Sequence, residues 1–222
     1  MLLAIDTSTR VAGVALHDGT RVLGEVVWFS HDHHTVELTP VISAVLTRAN
    51  LAVSDLGAVA VTIGPGSFTG LRIGLSVAKG LALASHLPLV GVPTLDVVAV
   101  AQALRDMPLV AVLQAGRGKL AMQKYAVSSG AWQPVGKIEI MDIQALAKRI
   151  QEPTLVCGEL EEEERHILAR KRKNVKLATP AQSLRRPSFL AELAWRRWKS
   201  GKVDDPALLS PIYIHVGEVI PG

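Results

Sequence analysis

The sequence predicts an α/β fold of two lobes, in which mixed sheets are flanked by helices. In the first half of the chain, three short apolar runs typical of strands precede alternating helical and strand-like segments, and the second half starts again with two strands joined by a glycine turn. The chain has 222 residues, 49% of them hydrophobic, which is enough to bury one large core or two smaller ones.

Residues 1–106 are predicted to form the first lobe. Apolar runs at 2–8, 11–19 and 21–29 predict an antiparallel meander of three strands, and Asp18-Gly19 supplies the tight turn between the last two. The elements that follow are predicted as a helix at 34–50, a strand at 56–64, a helix at 68–86, a strand at 87–93 and a helix at 94–106.

Residues 107–222 are predicted to form a second, degenerate and more basic copy of the first lobe. Two strands within 108–127 restart the pattern, and helices are expected at 142–151, 160–173 and 188–201. The order β-β-β-α-β-α-β-α matches one half of the ribonuclease-H-like, actin/heat-shock-ATPase-like architecture, which is shared by sugar kinases.

Composition excludes several classes of protein. The single cysteine, Cys157, excludes a disulfide framework and a cysteine zinc cluster, and fits a reducing cytosol. The first ten residues carry no basic region before an apolar run, and the sequence contains no run of twenty apolar residues. We therefore expect a cytoplasmic protein without a membrane span.

Positive charge is concentrated in the second half. Residues 1–105 contain 6 Lys or Arg and 7 Asp or Glu, whereas residues 106–222 contain 18 and 13. The basic segments are Arg170–Lys173, Arg185-Arg186 and Trp195–Lys199. Such a surface can meet nucleic-acid phosphates, but the sequence favours a solvated helix face, because Glu161 lies four residues before Arg165 and could pair with it.

The stretch from Thr62 to Gly80 looks like a phosphate loop that opens a helix. Its glycines match neither a P-loop nor a dinucleotide-binding turn. Gly64 or Gly66 is expected to take positive φ, and Ser67 to cap the helix. Exposed N–H groups at this helix start could still hold an anion.

The helix that follows carries a stripe of small residues, Gly70, Gly74, Ala78 and Ala82, at intervals of four. Two glycines inside a helix cost about 1 kcal/mol each against alanine, so close packing should offset them. Two interpretations stand: tight packing within the lobe, or an interface with another chain, which we prefer. If the stripe forms an interface with another chain, Gly74→Leu is expected to break that interface with little effect on the monomer fold.

Five segments of the chain resemble the bacterial TsaB (YeaZ) family of tRNA threonylcarbamoyladenosine biosynthesis proteins. They read AIDTST at the start, HHTVELTPVISAVL, GPGSFTGLRIGLSVAKGLA and LPLVGVPTLD in the middle, and LLSPIYIH at 208–215. The resemblance is dense over residues 1–100 and sparse beyond them.

The resemblance implies an interaction subunit with no catalytic residues of its own. Its implied partners are a TsaD-type catalytic subunit, a TsaE-type ATPase and, through the complex, tRNA; alone it would form a homodimer. The helices at 34–50 and 68–86 would contact the catalytic subunit. The implied interface residues are Leu38, Val41, Ile42, Val45, Gly70, Leu71, Gly74, Leu75, Ala78 and Ala82.

The resemblance also implies that metal and nucleotide chemistry is reduced. Thr94 and Val98 stand where the catalytic paralogue carries its histidine metal pair, and neither is an effective ligand. We expect no resident cofactor and at most weak ATP or ADP binding. The residues of a reduced phosphate motif would be Asp6, Thr7, Ser8, Gly64, Gly66 and Ser67.

The chain departs from the family pattern in the second lobe, its histidine cluster needs a separate explanation, and three alternative functions stay open. The family pattern Asp-Ala-Arg-Arg-Gly-Glu-Val-Tyr is replaced by Gln114–Ala121, and His31, His33 and His34 beside Asp32 are expected to form a solvated turn rather than a metal site. The alternatives are a small-molecule kinase of the same architecture, an inactive metallopeptidase homologue and a stand-alone RNA-binding module.

Overall fold

The computed structural model describes residues 1–31 and 33–213. Asp32 and the end of the motif at 208–215, beyond Tyr213, lie outside the described residues. Within the described part of the chain, two five-stranded sheets are each flanked by helices, which confirms the predicted fold class. No described helix combines the length and apolar character needed to cross a membrane.

The first sheet has the strand order β3-β2-β1-β4-β5. β1 pairs antiparallel with β2 and parallel with β4, so the predicted meander is extended on one side by parallel strands. Its strands are β1 Leu2–Asp6, β2 Val11–His17, β3 Val22–Phe29, β4 Ala58–Thr62 and β5 Leu89–Val92. The helices in this part of the sequence are α1 His34–Arg48, α2 Phe68–Ala84 and α3 Thr94–Val100.

The second sheet repeats the first, because its order β10-β9-β6-β7-β8 places β6 where the first sheet has β1. β6 likewise pairs antiparallel with β7 and parallel with β9. Its strands are β6 Leu109–Gln114, β7 Leu120–Ser128, β8 Ala131–Met141, β9 Thr154–Gly158 and β10 Val175–Leu177. The later helices are α4 Ile143–Arg149, α5 Glu162–Ala169, α6 Pro180–Ser183 and α7 Pro187–Lys199.

The predicted boundary at 106/107 falls between the two sheets, but two helices pack across it. α7, from the second half of the chain, covers the face of the first sheet opposite α1 and α2, where Leu190 and Ala194 meet small residues such as Ala4. α3, from the first half, packs on the second sheet, and Tyr125 Oη donates a hydrogen bond to Asp96 at 2.7 Å. The units of packing are therefore not simply 1–106 and 107–222.

The stripe of small residues on α2 faces the lobe's own sheet, so its prediction as an interface is wrong. A Cβ added at Gly70 would lie 2.2 Å from the Thr7 carbonyl oxygen, and one at Gly74 would lie 2.2 Å from Thr7 Oγ1. Ala78 and Ala82 are fully buried beside them. The glycines allow α2 to approach the end of β1 closely.

The other predicted interface residues also belong mostly to the core. Val41 of α1 is half-buried. The remaining residues are shielded from solvent because they fill the layer between α1, α2 and the first sheet: Leu38, Ile42, Val45, Leu71 and Leu75. A partner that docks on α1 and α2 must therefore use their outer side.

Two glycines of α2 provide a matched test of this packing. Gly80 is exposed, and a Cβ added there would meet nothing within 4 Å. Gly80→Ala should raise the free energy of unfolding by up to about 1 kcal/mol through helix propensity. Gly74→Ala should lower it by about 1–3 kcal/mol through overpacking against Thr7, and Gly74→Leu by more.

Urea unfolding of the monomer measures both variants. Equal effects of Gly74→Ala and Gly80→Ala would contradict the close approach of α2 to β1.

Candidate functional site

The carboxyl ends of β1 and β6 open into a cleft between the lobes. In α/β folds ligands bind at such strand ends. The cleft holds a cavity of about 1100 Å³. The first lobe lines it with Thr9, Arg10, Gly66, Ser67 and Phe68, and the second with residues 114–118 and 158–161, Arg165 and Arg185.

Asp6, at the end of β1, is buried behind Arg185, which lines this cleft, and both its carboxylate oxygens are hydrogen-bonded. Oδ1 accepts from the Ser8 backbone N–H at 2.9 Å, from Ser8 Oγ at 2.5 Å and from Thr62 Oγ1 at 2.9 Å. Oδ2 accepts from Arg185 Nε at 2.6 Å. The carboxylate is thus fully engaged by groups of this chain.

Arg185 joins the two lobes through this carboxylate. Its side chain is 1% exposed and lies in the segment between α6 and α7. It bonds Asp6 on the first lobe and Glu159 Oε1, after β9 of the second, at 2.5 Å. Its remaining N–H groups donate to Thr9 Oγ1 at 2.9 Å and the Val11 carbonyl at 2.7 Å. A planar guanidinium suits such multiple contacts better than an ammonium group.

The charges of this cluster stabilise one another. Burial on its own raises the pKa of the Asp6 carboxyl, but the Arg185 guanidinium and the Ser8 hydrogen bonds outweigh it, so the pKa lies below its usual value. Burial on its own lowers the pKa of Arg185, and the carboxylates of Asp6 and Glu159 reverse this, so that pKa is raised. Both groups therefore stay charged.

The Asp6 environment does not fit a metal-bound phosphate. A cation would have to displace the Arg185 guanidinium, and a phosphate would meet a carboxylate without a metal to bridge them. The sequence pointed to Asp6, Thr7 and Ser8 as a reduced phosphate motif, a role that stays a prediction, but it did not point to Arg185. The only feature that marked Arg185 in the sequence was its place in the basic dipeptide Arg185-Arg186, far along the chain from Asp6.

The glycine loop is explained by its contact with the end of β1. Gly64 has φ of +108°, as expected for one of the two glycines, and Ser67 Oγ caps α2 by accepting from the Gly70 N–H at 3.2 Å. A Cβ added at Gly66 would lie 2.1 Å from the Ser8 carbonyl oxygen, which itself accepts from the Ser67 N–H at 2.6 Å. The loop thus braces the Asp6 segment.

The altered turn of the second lobe is bonded to its own neighbours. Gln114 Nε2 donates to Glu164 Oε2 at 2.7 Å, and Lys119 Nζ pairs with Asp142 Oδ2 at 3.2 Å. The Gln114 amide thus bonds a carboxylate at the start of α5, and the Lys119 ammonium group bonds one at the start of α4. The helix dipole also stabilises a negative charge at these positions.

The histidine-rich turn does not form a metal site in the part of the chain that is described. His34 is buried and its Nε2 lies 3.0 Å from the Thr9 carbonyl oxygen. No group of three His, Cys, Asp or Glu side chains among residues 1–31 and 33–213 is placed to hold a metal ion. Thr94 and Val98 are buried at the start and middle of α3.

The outer side of α1 and α2 is apolar enough to receive a partner. Phe68 and Leu83 are 55% and 63% exposed on α2, and Val36 is 70% exposed on α1. A shallow groove runs beside Phe68, and Arg72 stacks over the Phe68 ring at 3.7 Å. Thr35, Thr69, Arg72, Ile73, Ser76 and Val77 line the rest of this groove.

The fold and cleft define a two-lobed α/β protein of the actin and hexokinase class. A ROK hexokinase from Thermus thermophilus superposes with a TM-score of 0.52 at 12% identity, over 90% of this chain and 98% of that chain, which is a likeness of fold alone. YeaZ from Pseudomonas aeruginosa superposes much better, with a TM-score of 0.78 at 26% identity, over 96% of this chain and 99% of that chain.

Sequence comparison agrees with this likeness. The family described as TsaD, tRNA N6-adenosine threonylcarbamoyltransferase, matches residues 24–189. The tRNA threonylcarbamoyladenosine biosynthesis protein TsaB of Bacillus subtilis is 28% identical over 98% of this chain and 95% of its own length. TsaB of Escherichia coli is 43% identical over 42% of this chain and 40% of its own length. The chain belongs to the TsaD family and, within it, to the TsaB (YeaZ) group.

Breaking the buried cluster should be costly at neutral pH. Arg185→Met leaves the buried Asp6 carboxylate unpaired, so the free energy of unfolding should fall by about 3–5 kcal/mol. The matched control is Arg149→Met, because Arg149 is 54% exposed and pairs with Glu139, whose side chain is 41% exposed. That change should cost less than about 1 kcal/mol.

The loss should also depend on pH in a defined direction. The folded pKa of Asp6 is lowered, so the stability it contributes is present above its unfolded pKa of about 3.9 and is lost as pH falls through the lower folded value. Acidification should therefore shrink the difference between wild type and Arg185→Met. Urea unfolding across pH measures it, and a difference that is constant with pH would contradict the pairing.

Proposed function

We propose that this chain is a non-catalytic scaffold subunit of the cytoplasmic complex that installs N6-threonylcarbamoyladenosine beside the anticodon of tRNAs. It would bind and activate a TsaD-type catalytic subunit, with a TsaE-type ATPase completing the complex. The names of its relatives support the pathway, since those from Bacillus subtilis and Escherichia coli are tRNA threonylcarbamoyladenosine biosynthesis proteins.

Arg185 carries the non-catalytic part of this proposal. Kinases and other enzymes that transfer phosphoryl groups use carboxylates with metal ions to handle phosphate. Here the Asp6 oxygens are already bonded by Arg185, Ser8 and Thr62. The cleft would then hold the lobes together rather than turn over ATP or ADP. Neither the kinase nor the metallopeptidase alternative is favoured by a specific feature of the described residues.

The outer side of α1 and α2 supports the scaffold part. It exposes large apolar side chains on two adjacent helices, and their inner sides are fixed against a rigid sheet. A paralogue built on the same fold would offer an equivalent pair of helices, so two such faces can pack as a four-helix layer. In the absence of the partner, a second copy of this chain would use the same face and form a homodimer.

Substitutions on the exposed stripe of α2 test the docking face. Ser76 and Leu83 are both exposed and lie seven residues apart, hence on one side of the helix. The double variant Ser76→Glu, Leu83→Glu should weaken binding to the organism's own TsaD-type protein by at least about tenfold, since it places two charges in an apolar interface. Ser128→Glu, Leu208→Glu is the matched control, because both residues are exposed elsewhere.

Light scattering after size exclusion, on each chain alone and mixed with the TsaD-type protein, gives the readout. Wild type and control should form a heteromeric complex and the α2 variant should not. An unchanged complex in the α2 variant would reject this face, and no complex with wild type, with or without a TsaE-type protein, would reject the scaffold role.

A further inference from the structure

One end of the second lobe presents a cluster of cations, which we call the basic end. It consists of Lys148 on α4, Lys176 on β10 and, in the turn after α5, Arg170, Lys171, Arg172 and Lys173. All are exposed except Lys171, which is half-buried. Among the described residues, no carboxylate forms an ion pair with any of these six side chains.

The topology brings these cations together. α4 leads into β9 and α5 leads into β10, and both strands are parallel to β6, so both helices end at the same edge of the sheet. The two loops there are bonded to each other: Asn174 Nδ2 donates to the Gln151 carbonyl at 2.9 Å, and the Thr154 N–H donates to the Asn174 carbonyl at 2.9 Å. The cations therefore project from a fixed surface.

The basic end is solvated, as the sequence predicted, but the predicted pairing of Glu161 with Arg165 is not formed, and among the described residues the glutamates of α5 form no ion pair with the basic end. Glu161–Glu164 lie at the start of α5, and Arg165 donates to the Ala178 carbonyl at 2.7 Å instead of pairing with Glu161. Six residues separate Glu164 from Arg170, which is about 9 Å along a helix and well beyond ion-pair distance.

The other predicted basic segments, by contrast, are used internally. Arg185 is buried in the interlobe cluster, and Arg186 bonds Glu25. Arg197 pairs with Asp204 at 3.2 Å, and Lys199 lies 3.9 Å from the Trp198 ring. A cation in the last turn of α5 stabilises that helix by about 0.3–1 kcal/mol through the helix dipole. This effect explains a cation at the end of α5, but it does not explain Lys148 on α4 or Lys176 on β10.

We propose that the basic end binds the phosphate backbone of folded RNA, and that within the proposed function this RNA is the tRNA substrate of the complex. Clustered, unpaired cations are the electrostatic footprint of a phosphate-binding surface. Residues 143–183 contain no Phe, Tyr or Trp to stack on bases, so the contact positions RNA without reading its sequence. Those residues also expose no large apolar side chain of the kind that inserts into a lipid surface.

Charge removal on the full-length chain tests this proposal. The triple variant Arg170→Gln, Arg172→Gln, Lys173→Gln removes three exposed cations that contribute nothing to the core. The control triple Arg105→Gln, Lys137→Gln, Lys202→Gln removes the same charge from exposed positions on other surfaces. Fluorescence anisotropy with a labelled tRNA transcript measures affinity at several salt concentrations, for the chain alone and for its complex with the TsaD-type protein.

The basic-end triple should bind tRNA at least about tenfold more weakly at 0.1 M salt, and the slope of log Kobs against log salt should fall in magnitude by about 2–3. The control triple should behave as wild type. An unrelated transcript of equal length and fold should bind wild type equally well.

Three results would overturn the proposal: no loss in the basic-end triple, an equal loss in the control triple, or no tRNA binding by the wild-type chain either alone or in its complex. Binding of phosphatidylserine vesicles that the triple abolishes, with tRNA affinity unchanged, would assign the surface to membranes instead. Complex formation by light scattering is scored separately, so a failed RNA contact remains distinguishable from a failed scaffold role.

Discussion

The buried contact of Arg185 with Asp6 and Glu159 is the interaction on which the rest of the structure depends. It ties the end of β1 to the end of β9 and fixes the segment that leads into α7. α7 in turn covers the open face of the first sheet. An ion pair buried this deeply gains little over apolar packing but is costly to break, so it specifies a single arrangement of the lobes.

A rigid relation between the lobes suits a scaffold. Many enzymes close loops or domains around a ligand, and the closure is part of their cycle. In this chain the Asp6 carboxylate is bonded by Arg185, a cation of the chain itself, which ties the second lobe to the sheet that carries the face formed by α1 and α2. The basic end of the second lobe is held in the same fixed relation to that face, which would let one subunit position both a protein partner and RNA.

Local features of this structure follow from the sequence, whereas its long-range pairings do not. Apolar periodicity predicted the order of strands and helices in the first lobe, whereas the short β10 and α6 of the second lobe were not predicted. Gly64 and Ser67 were expected to turn and cap the chain as they do. The prediction that the small-residue stripe of α2 faces another chain was wrong. A helix that is apolar on nearly every side does not reveal in its sequence which side meets the sheet. The partnership of Arg185 with Asp6, 179 residues away, has no local signal.

Thermal unfolding of the full-length chain with and without millimolar MgATP tests most directly whether Arg185 has replaced the nucleotide in holding the lobes. A ligand at a hundred times its Kd would stabilise the folded state by about 2.7 kcal/mol, which is readily seen as a rise in Tm. The account predicts the same Tm in both conditions. A rise in Tm that requires both magnesium and Asp6 would show that nucleotide displaces Arg185, and would contradict it.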